Sequence, residues 1–395
     1  MRILNQILAV TLLNLKNLPQ RPGASVVAVV GVAAVVLVFA AVLSMARGFE
    51  RTMLSAGADD TAIIMRSGAT SEMSSGFSGD QVLVIASAPG LLKDGDTPVL
   101  SAELFVIVDV KKKSTNTDAN VPFRGVQASA FDVRRDVKIT EGRMFEAGKN
   151  EILVGRAAKS EFQGLDVGST IRFGKTDWTV VGAFEAGGSV SESELWTDVR
   201  ILQSAYRRGN SFQTVRVKLD SPESLEILES SLRDDPRIDP DVMTEREFYS
   251  DQSRQLTQFI KLVGYPLTIL MSIGAIFGAL NSMYSSISVR GKEIATLRAL
   301  GFGPVPVLVS TIVESTLLAL AGGIVGGALA FLVFNGFQVS TLNFASFSQV
   351  VFDFAVTPDL LADGLRVALL IGVVGGLFPA IRAARLPVAQ ALREL

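Results

Sequence analysis

Residues 288–303 read SVRGKEIATLRALGFG, a short charged stretch between two long apolar runs, 259–287 and 305–334. On a helix, Ile294, Leu297 and Leu300 or Gly301 fall on one face, three and then six or seven residues along. Arg290, Lys292, Glu293 and Arg298 populate the remaining surface. Arg290 and Glu293, three apart, are spaced for a weak ion pair. Gly301 and the Gly303–Pro304 pair stop the helix. A basic amphipathic helix between two membrane spans belongs in the cytoplasm, against the membrane face or in the groove of a partner. The plainer alternative is a solvated loop that only satisfies the charge rule.

The flanking runs fit that reading. The chain has 395 residues, 48% hydrophobic and 19% charged, too apolar and too sparsely charged for an ordinary soluble protein. Residues 1–23 form an amphipathic, mildly basic segment with Arg2 and Lys16, predicted to lie as an interfacial helix on the inner leaflet and to end at Pro19 and Pro22. Residues 24–46 are the first span, long enough for a hydrocarbon core of about 30 Å. Ser44-Met45-Ala46 loosely resembles a signal cleavage site, but the apolar run exceeds the roughly 7–15 residues of a signal core, so an uncleaved anchor is expected. Residues 259–287, 305–334 and 363–381 are the other spans, separated by the charged stretch 288–304 and by a loop, 335–362, without Lys or Arg.

Lys and Arg are placed asymmetrically. Arg2, Lys16 and Arg21 precede the first span, Arg290, Lys292 and Arg298 lie between the second and third, and Arg382, Arg385 and Arg393 follow the fourth. The positive-inside rule therefore puts both termini in the cytoplasm of a multi-pass protein, and the 47–258 insert outside. That insert reads as α+β. Strands are predicted at 61–66, 101–110, 121–126, 137–140, 151–154, 170–173, 178–184 and 214–219, and helices at 80–88, 156–162, 199–206 and 222–232. From residue 242 one helix should run as a stalk into the second span. The tail 382–395 starts a last amphipathic turn at Pro387.

The chemistry available is narrow. With no His and no Cys, metal sites built on them, cysteine nucleophiles and a Ser-His-Asp triad are excluded. The net charge of −2 gives no reason to expect nucleic acid. The segment from Gly155 to Lys159 and Ser160 lacks the glycine that a phosphate-binding loop needs before its lysine, and no complete pattern occurs elsewhere. A non-catalytic chain without its own cofactor follows. Glu192 with Glu194, and Asp59 with Asp60, are adjacent acids of the kind that sit solvated on strands or turns. Glu314 stands inside the third span, where a carboxylate is a functional candidate, either as a proton relay or in a structural hydrogen bond to a polar group such as Asn281. Gly322, Gly323, Gly326 and Gly327 form two overlapping small-xxx-small pairs, able to face another protomer or the chain's own second span.

Arg290, Glu293–Ile294, Leu297–Arg298–Ala299 and Leu300–Gly301 resemble the loop motif of the FtsX/MacB-type ABC transporter permeases. Glu314 followed by the four glycines resembles the third span of that family. Gly375–Gly376–Leu377–Phe378–Pro379–Ala380 with Arg382, Ala383, Arg385, Leu386, Pro387, Ala391, Leu392 and Arg393 resembles its closing motif. The resemblance implies an inner-membrane permease of four transmembrane helices plus an α+β extracytoplasmic domain of the MacB-like periplasmic core type, with an outer lobe at roughly 101–198. It further implies a homodimer and a cytoplasmic ABC ATPase that binds ATP and Mg²⁺ and rests on the coupling helix through Arg290, Glu293, Ile294, Leu297, Arg298, Leu300 and Gly301, with Leu297 as the central anchor. A periplasmic adaptor or membrane fusion protein is an expected partner besides the lipid bilayer. Two functions remain open: export or extraction of a lipoprotein, peptide or small amphiphile, and mechanical switching of a periplasmic cell-wall hydrolase.

Overall fold

The computed structural model describes residues 2–17 and 22–387. Pro19, Arg21, Ala391, Leu392, Arg393 and the turn expected after Pro387 lie outside the described residues. The chain divides into two units, a helical one (Met1–Arg47, Phe259–Phe337, Phe354–Leu395) and an α+β one (Gly48–Gln258, Gln338–Asp353).

The helical unit contains α1 (Arg2–Asn17) and the start of α2 (Pro22–Leu54). Four of the described helices are long and apolar enough to cross a membrane, the first being Ser25–Leu54 within α2. The others are α8 (Glu245–Val289), α10 (Pro304–Phe334) and α11 (Pro358–Ala384). A short helix, α9 (Gly291–Ala299), separates α8 from α10. The glycines of α10 allow close helix packing within the chain. A Cβ on Gly326 would stand 2.4 Å from the Ala33 carbonyl oxygen, and one on Gly322 would stand 2.6 Å from that of Val29. One on Gly323 would stand 2.7 Å from the Cβ of Ala368. Gly322 and Gly326 therefore face the first span and Gly323 and Gly327 the fourth. This corrects the expectation that they meet a second protomer or the second span. Gly375 and Gly376 complete the packing of α11 from its own side, next to Ala279 and Ser315.

The α+β unit is built on a ten-stranded sheet. Its strands are β1 (Thr61–Arg66), β5 (Leu100–Lys111), β6 (Asp118–Val126), β7 (Lys138–Gly142), β8 (Glu151–Gly155), β9 (Thr170–Phe173), β10 (Thr176–Glu185), β11 (Leu195–Asp198), β13 (Thr214–Lys218) and β14 (Pro240–Thr244). They run β14-β1-β13-β5-β6-β11-β8-β10-β7, with β9 on β10. Parallel pairs β6–β11 and β8–β10 sit among antiparallel neighbours. The long β5 joins the two halves: it pairs with β13 through Leu100–Glu103 and with β6 through Leu104–Lys111. Small pairs of β2 (Phe77–Ser78) with β12 (Ser211–Phe212), and of β3 (Lys93–Asp94) with β4 (Thr97–Pro98), flank the sheet. Helices α3 (Gly79–Ser87), α4 (Ala130–Val133), α5 (Arg156–Glu161), α6 (Val199–Ala205) and α7 (Ser224–Arg233) complete the unit. Ile64, Leu104, Phe123, Trp178 and Val217 lie in one apolar core, and Phe184 with Trp196 in a second.

Two segments differ from the sequence reading. The stalk does not begin at residue 242, because 240–244 is the edge strand β14, paired with β1 from Ala62↔Thr244 to Arg66↔Pro240. Val242 and Thr244 are β-branched and favour the strand. The helix starts where Thr244 Oγ1 accepts the Glu247 N–H at 3.1 Å, with two glutamates in its first turn. The region 335–362, expected to be a plain loop, contains the hairpin β15 (Gln338–Asn343) and β16 (Ser348–Asp353). The hairpin belongs to the α+β unit. The Val351 N–H donates to Ser193 Oγ at 2.9 Å, and Asn343 donates to Gln252 at 3.0 Å. Lys112 Nζ and Glu161 both reach Ser340 Oγ, at 2.7 and 2.6 Å. Val350, Val351 and Phe352 are buried, which supplies an apolar reason for a segment between two spans to fold there.

Candidate functional site

Stretch 288–303 starts where α8 ends. Arg290 has φ −95° and ψ 7°, outside the helical region, so the chain turns there and α9 begins at Gly291. The far end is closed by Gly301 at φ 94°, a conformation glycine adopts without the cost of a side chain. The Phe302 N–H donates to the Leu297 carbonyl at 3.1 Å and the Gly301 N–H to that of Arg298 at 3.1 Å, the paired bonds of a Schellman motif.

The Arg290 side chain points into the helical unit. Its Nη1 donates to Glu314 Oε2 at 2.8 Å, its Nη2 donates to Asn14 Oδ1, and its Nε lies 3.5 Å from a carboxylate oxygen of Glu293. Asn14 Nδ2 in turn donates to Ser310 Oγ at 3.0 Å. The side chains of Arg290 and Glu314 are 8% and 6% exposed. Three elements thus meet at one polar knot: α1 through Asn14, the α8–α9 turn through Arg290, and α10 through Glu314 and Ser310. A buried carboxylate inside a span is costly unless paired, and here its partner is a guanidinium. Asn281, suggested by sequence, is exposed and is not that partner.

The rest of the stretch divides into an inner and an outer side. Ile294 is buried with Ile287, Val307 and Ala383, and Leu297 is half-buried. The apolar face expected to seat in a partner's groove is therefore largely committed within the chain, because α9 lies against α10 and the end of α11. Arg298 Nη1 donates to the carbonyls of Ala384 and Leu386 at 2.8 and 3.2 Å, placing a cation on the C-terminal end of α11. On the outer side Val289, Lys292, Glu293, Thr296, Ala299 and Leu300 are exposed, Leu300 by 72%. In the closing motif, Pro379 is buried within α11, the Arg382 guanidinium lies 5.4 Å from the Tyr284 ring centroid, and Arg385 and Pro387 are exposed.

A second cluster lies in the α+β unit, and the sequence reading missed it. Arg124 on β6 grips Glu194 with Nε and Nη2, both at 2.7 Å, and reaches Glu72 and Glu103 at 2.8 and 3.0 Å. Arg134 binds both carboxylate oxygens of Glu103, at 2.8 and 2.9 Å. Arg216 on β13 donates to Glu245, the first residue of α8, at 2.7 Å. All seven side chains are buried. Burial alone would raise the Glu72 carboxyl, but Arg124 and Arg216 outweigh it and hold it at about 2. Glu103 is pushed lower still, its three arginines outweighing its burial. At Glu245 burial prevails over Arg216 and Arg134 and the carboxyl is raised. The adjacent acids read as solvated are corrected here: Glu194 accepts from Arg124 and from Trp196 Nε1, and Glu192 accepts the N–H groups of Ala186 and Gly188 at 2.8 and 2.7 Å. Asp59 and Asp60 are exposed or half-exposed and pair with Arg246 and Lys218. Among the described residues no group of three or more acids forms a metal site.

The sequence profile described as the MacB-like periplasmic core domain matches residues 25–235, and that of the FtsX-like permease C-terminal region matches 267–388. The chain belongs to the FtsX/MacB-type permease family. It is accordingly a multi-pass membrane protein with a large extracytoplasmic domain. Curated FtsX/MacB relatives include the macrolide export ATP-binding/permease protein MacB of Neisseria meningitidis (25% identical, 71% of this chain, 44% of the relative) and that of Pasteurella multocida (24%, 76% and 46%). The chain spans about half the length of these relatives. Solved domains similar to this FtsX/MacB chain include the extracellular domain of the transporter YknZ from Gram-positive bacteria and the periplasmic region of MacB from Actinobacillus actinomycetemcomitans. Both are 15% identical with a TM-score of 0.35, covering 46% and 52% of this chain and 99% and 94% of theirs.

Proposed function

We propose that this chain is the permease subunit of an ABC transporter, driven by a separate cytoplasmic ATPase that binds ATP and Mg²⁺. The observation that carries the reading is the polar knot at Arg290. It ties the turn before α9 to Glu314 inside α10 and to Asn14 on α1, so a push on the outer side of α9 is transmitted to two further helices rather than absorbed by a free loop. Coupling residues then have two roles. Arg290, Ile294 and Arg298 hold α9 to the spans, while Leu300 with Val289 and Lys292 meets the ATPase. Helix α8 covers Glu245–Val289, about 68 Å along the chain at 1.5 Å per residue with Pro266 inside it, and is the segment through which motion reaches the extracytoplasmic domain. Both termini and α9 are cytoplasmic in this account, the membrane is the cytoplasmic one, and the working unit is a homodimer with two ATPases. Export or extraction of a peptide, lipoprotein or small amphiphile is favoured over switching of a hydrolase, since the curated relatives are named as exporters. A periplasmic adaptor would complete such a path.

The test is reconstitution of the full chain with its ATP-binding subunit in nanodiscs. ATP hydrolysis should change several-fold on adding the chain, and the two should co-purify as equal numbers of copies. Hydrolysis indifferent to the chain, with no co-purification, would overturn the proposal.

A further inference from the structure

We propose that the helical unit holds one zwitterionic phospholipid in a cleft between α8 and α11. The cleft has a volume of about 500 Å³, with Phe39 of α2 behind it. Its floor is where α8 and α11 touch: a Cβ on Gly375 would stand 3.0 Å from that of Ala279. From there the cleft extends along α8 to Tyr265 and along α11 to Asp363. The walls carry Ile269 and Ile276 from α8 and Leu370, Ile371 and Val374 from α11. Thr268, also in the wall, donates its hydroxyl to the Gly264 carbonyl at 2.8 Å, so it asks nothing of an occupant. At the mouth stand Asp363 and Arg366, paired with each other and 47% and 74% exposed.

Depth and charge select the occupant. From Arg366 to Val374 α11 rises about 12 Å, and from Tyr265 to Ile276 α8 rises about 16 Å. Half of a hydrocarbon core of about 30 Å is about 15 Å, so the apolar part of the cleft is one leaflet deep and the charged pair stands at headgroup level. A cleft of about 500 Å³, one leaflet deep and walled by aliphatic side chains, suits a single acyl chain. An anionic headgroup would satisfy Arg366 and be repelled by Asp363. A headgroup carrying both a phosphate and an ammonium can match both, each through a charge-assisted contact. The occupant is thus a lipid of the leaflet on the side where α8 enters, such as phosphatidylethanolamine, with its phosphate at Arg366, its ammonium at Asp363 and one chain between the helices. This holds whether or not the chain couples to an ATPase.

The experiment is native mass spectrometry of the full chain released from nanodiscs of phosphatidylethanolamine and phosphatidylglycerol at 7:3. One phosphatidylethanolamine should remain per chain after the other lipids are stripped. Leu370→Trp, which fills the cleft, and Arg366→Glu, which removes the phosphate partner, should each lower its occupancy at least five-fold. Leu332→Trp, an equally bulky change at an exposed position of α10, should leave it unchanged, and far-UV circular dichroism should show all variants folded. Retention indifferent to Leu370→Trp, or equal retention of phosphatidylglycerol, would reduce the cleft to ordinary lipid-facing surface. Cross-linking that shows the cleft covered by a second copy of the chain would overturn the proposal equally.

Discussion

Arg290→Ala isolates the contribution of the polar knot. It leaves Glu314 buried without its guanidinium and Asn14 without one of its partners. Removing one member of a buried pair costs about 3–5 kcal/mol, because the remaining charge stays desolvated. The lost contact to Asn14 adds about 1 kcal/mol. At 1.4 kcal/mol per factor of ten, even the lower figure is a loss of about 100-fold in the folded-to-unfolded equilibrium constant. The assay is titration of the purified chain with sodium dodecyl sulfate in mixed micelles, following helix content by circular dichroism. Glu314→Gln should cost less than Arg290→Ala, since its amide oxygen still accepts from Arg290. The double change Arg290→Leu with Glu314→Leu should recover most of the loss, as an apolar pair of similar volume removes both desolvated charges at once. If Arg290→Ala unfolds within about 0.5 kcal/mol of the unaltered chain, Arg290 is solvent-facing and the knot does not exist.

Gly326→Leu should disrupt the α2–α10 contact by a clash with the Ala33 backbone, costing more than about 1–3 kcal/mol; an unchanged unfolding midpoint would show that the two helices do not touch there. For the buried charge cluster, Glu72 is held at about 2 against an ordinary 4.5, so its contribution is complete above pH 4.5 and is lost as the pH falls through about 2. Glu245, raised above 4.5, acts with the opposite sign and fades as the pH rises through its folded value. Emission from Trp178 and Trp196 of the full chain should therefore report acid unfolding of the extracytoplasmic domain between about pH 4.5 and 2, and a transition unaffected by Arg216→Met would remove the cluster from that account. A tag inserted at residue 116, in the turn between β5 and β6, should be labelled from outside in intact cells while tags at the termini are not.

What sequence made legible was set by periodicity and by charge. The spans and the short helix between the second and third are local features, each written in a run of neighbouring residues, whereas the turn at Arg290 falls inside the stretch read as one helix from 288. The hairpin at 338–353 was missed because its burial comes from Ser193 and the rest of the α+β unit, not from an alternation of its own. The charge cluster was harder to see. Glu72, Glu103, Glu194 and Glu245 are scattered over 174 positions, and only the fold brings together their partners, Arg124 on β6, Arg216 on β13 and Arg134 just after α4. A signal did exist: Glu103 stands between Ala102 and Leu104, Arg124 between Phe123 and Gly125, and Arg216 between Val215 and Val217, and a charge among such neighbours asks for an opposite one close by. The glycines of α10 revealed that helices approach closely but not which ones, since Gly322 and Gly326 differ from Gly323 and Gly327 only by one step around the helix.

Leu300 offers the most direct test of the coupling reading. It is 72% exposed on the outer side of α9, so Leu300→Asp leaves the internal packing of Ile294 and the Arg290–Glu314 pair untouched. Seating a leucine in a partner's groove is worth about 1.5–3 kcal/mol, so the substitution should weaken capture of the ATPase by about ten-fold or more. The measurement is titration of the ATP-binding subunit onto nanodiscs holding the full chain, read as both bound subunit and ATP turnover. The account predicts that Leu300→Asp shifts the binding curve by that factor and lowers chain-dependent turnover in step, with the unfolding midpoint unchanged. Binding and turnover at the unaltered level would leave residues 288–303 as a charged loop.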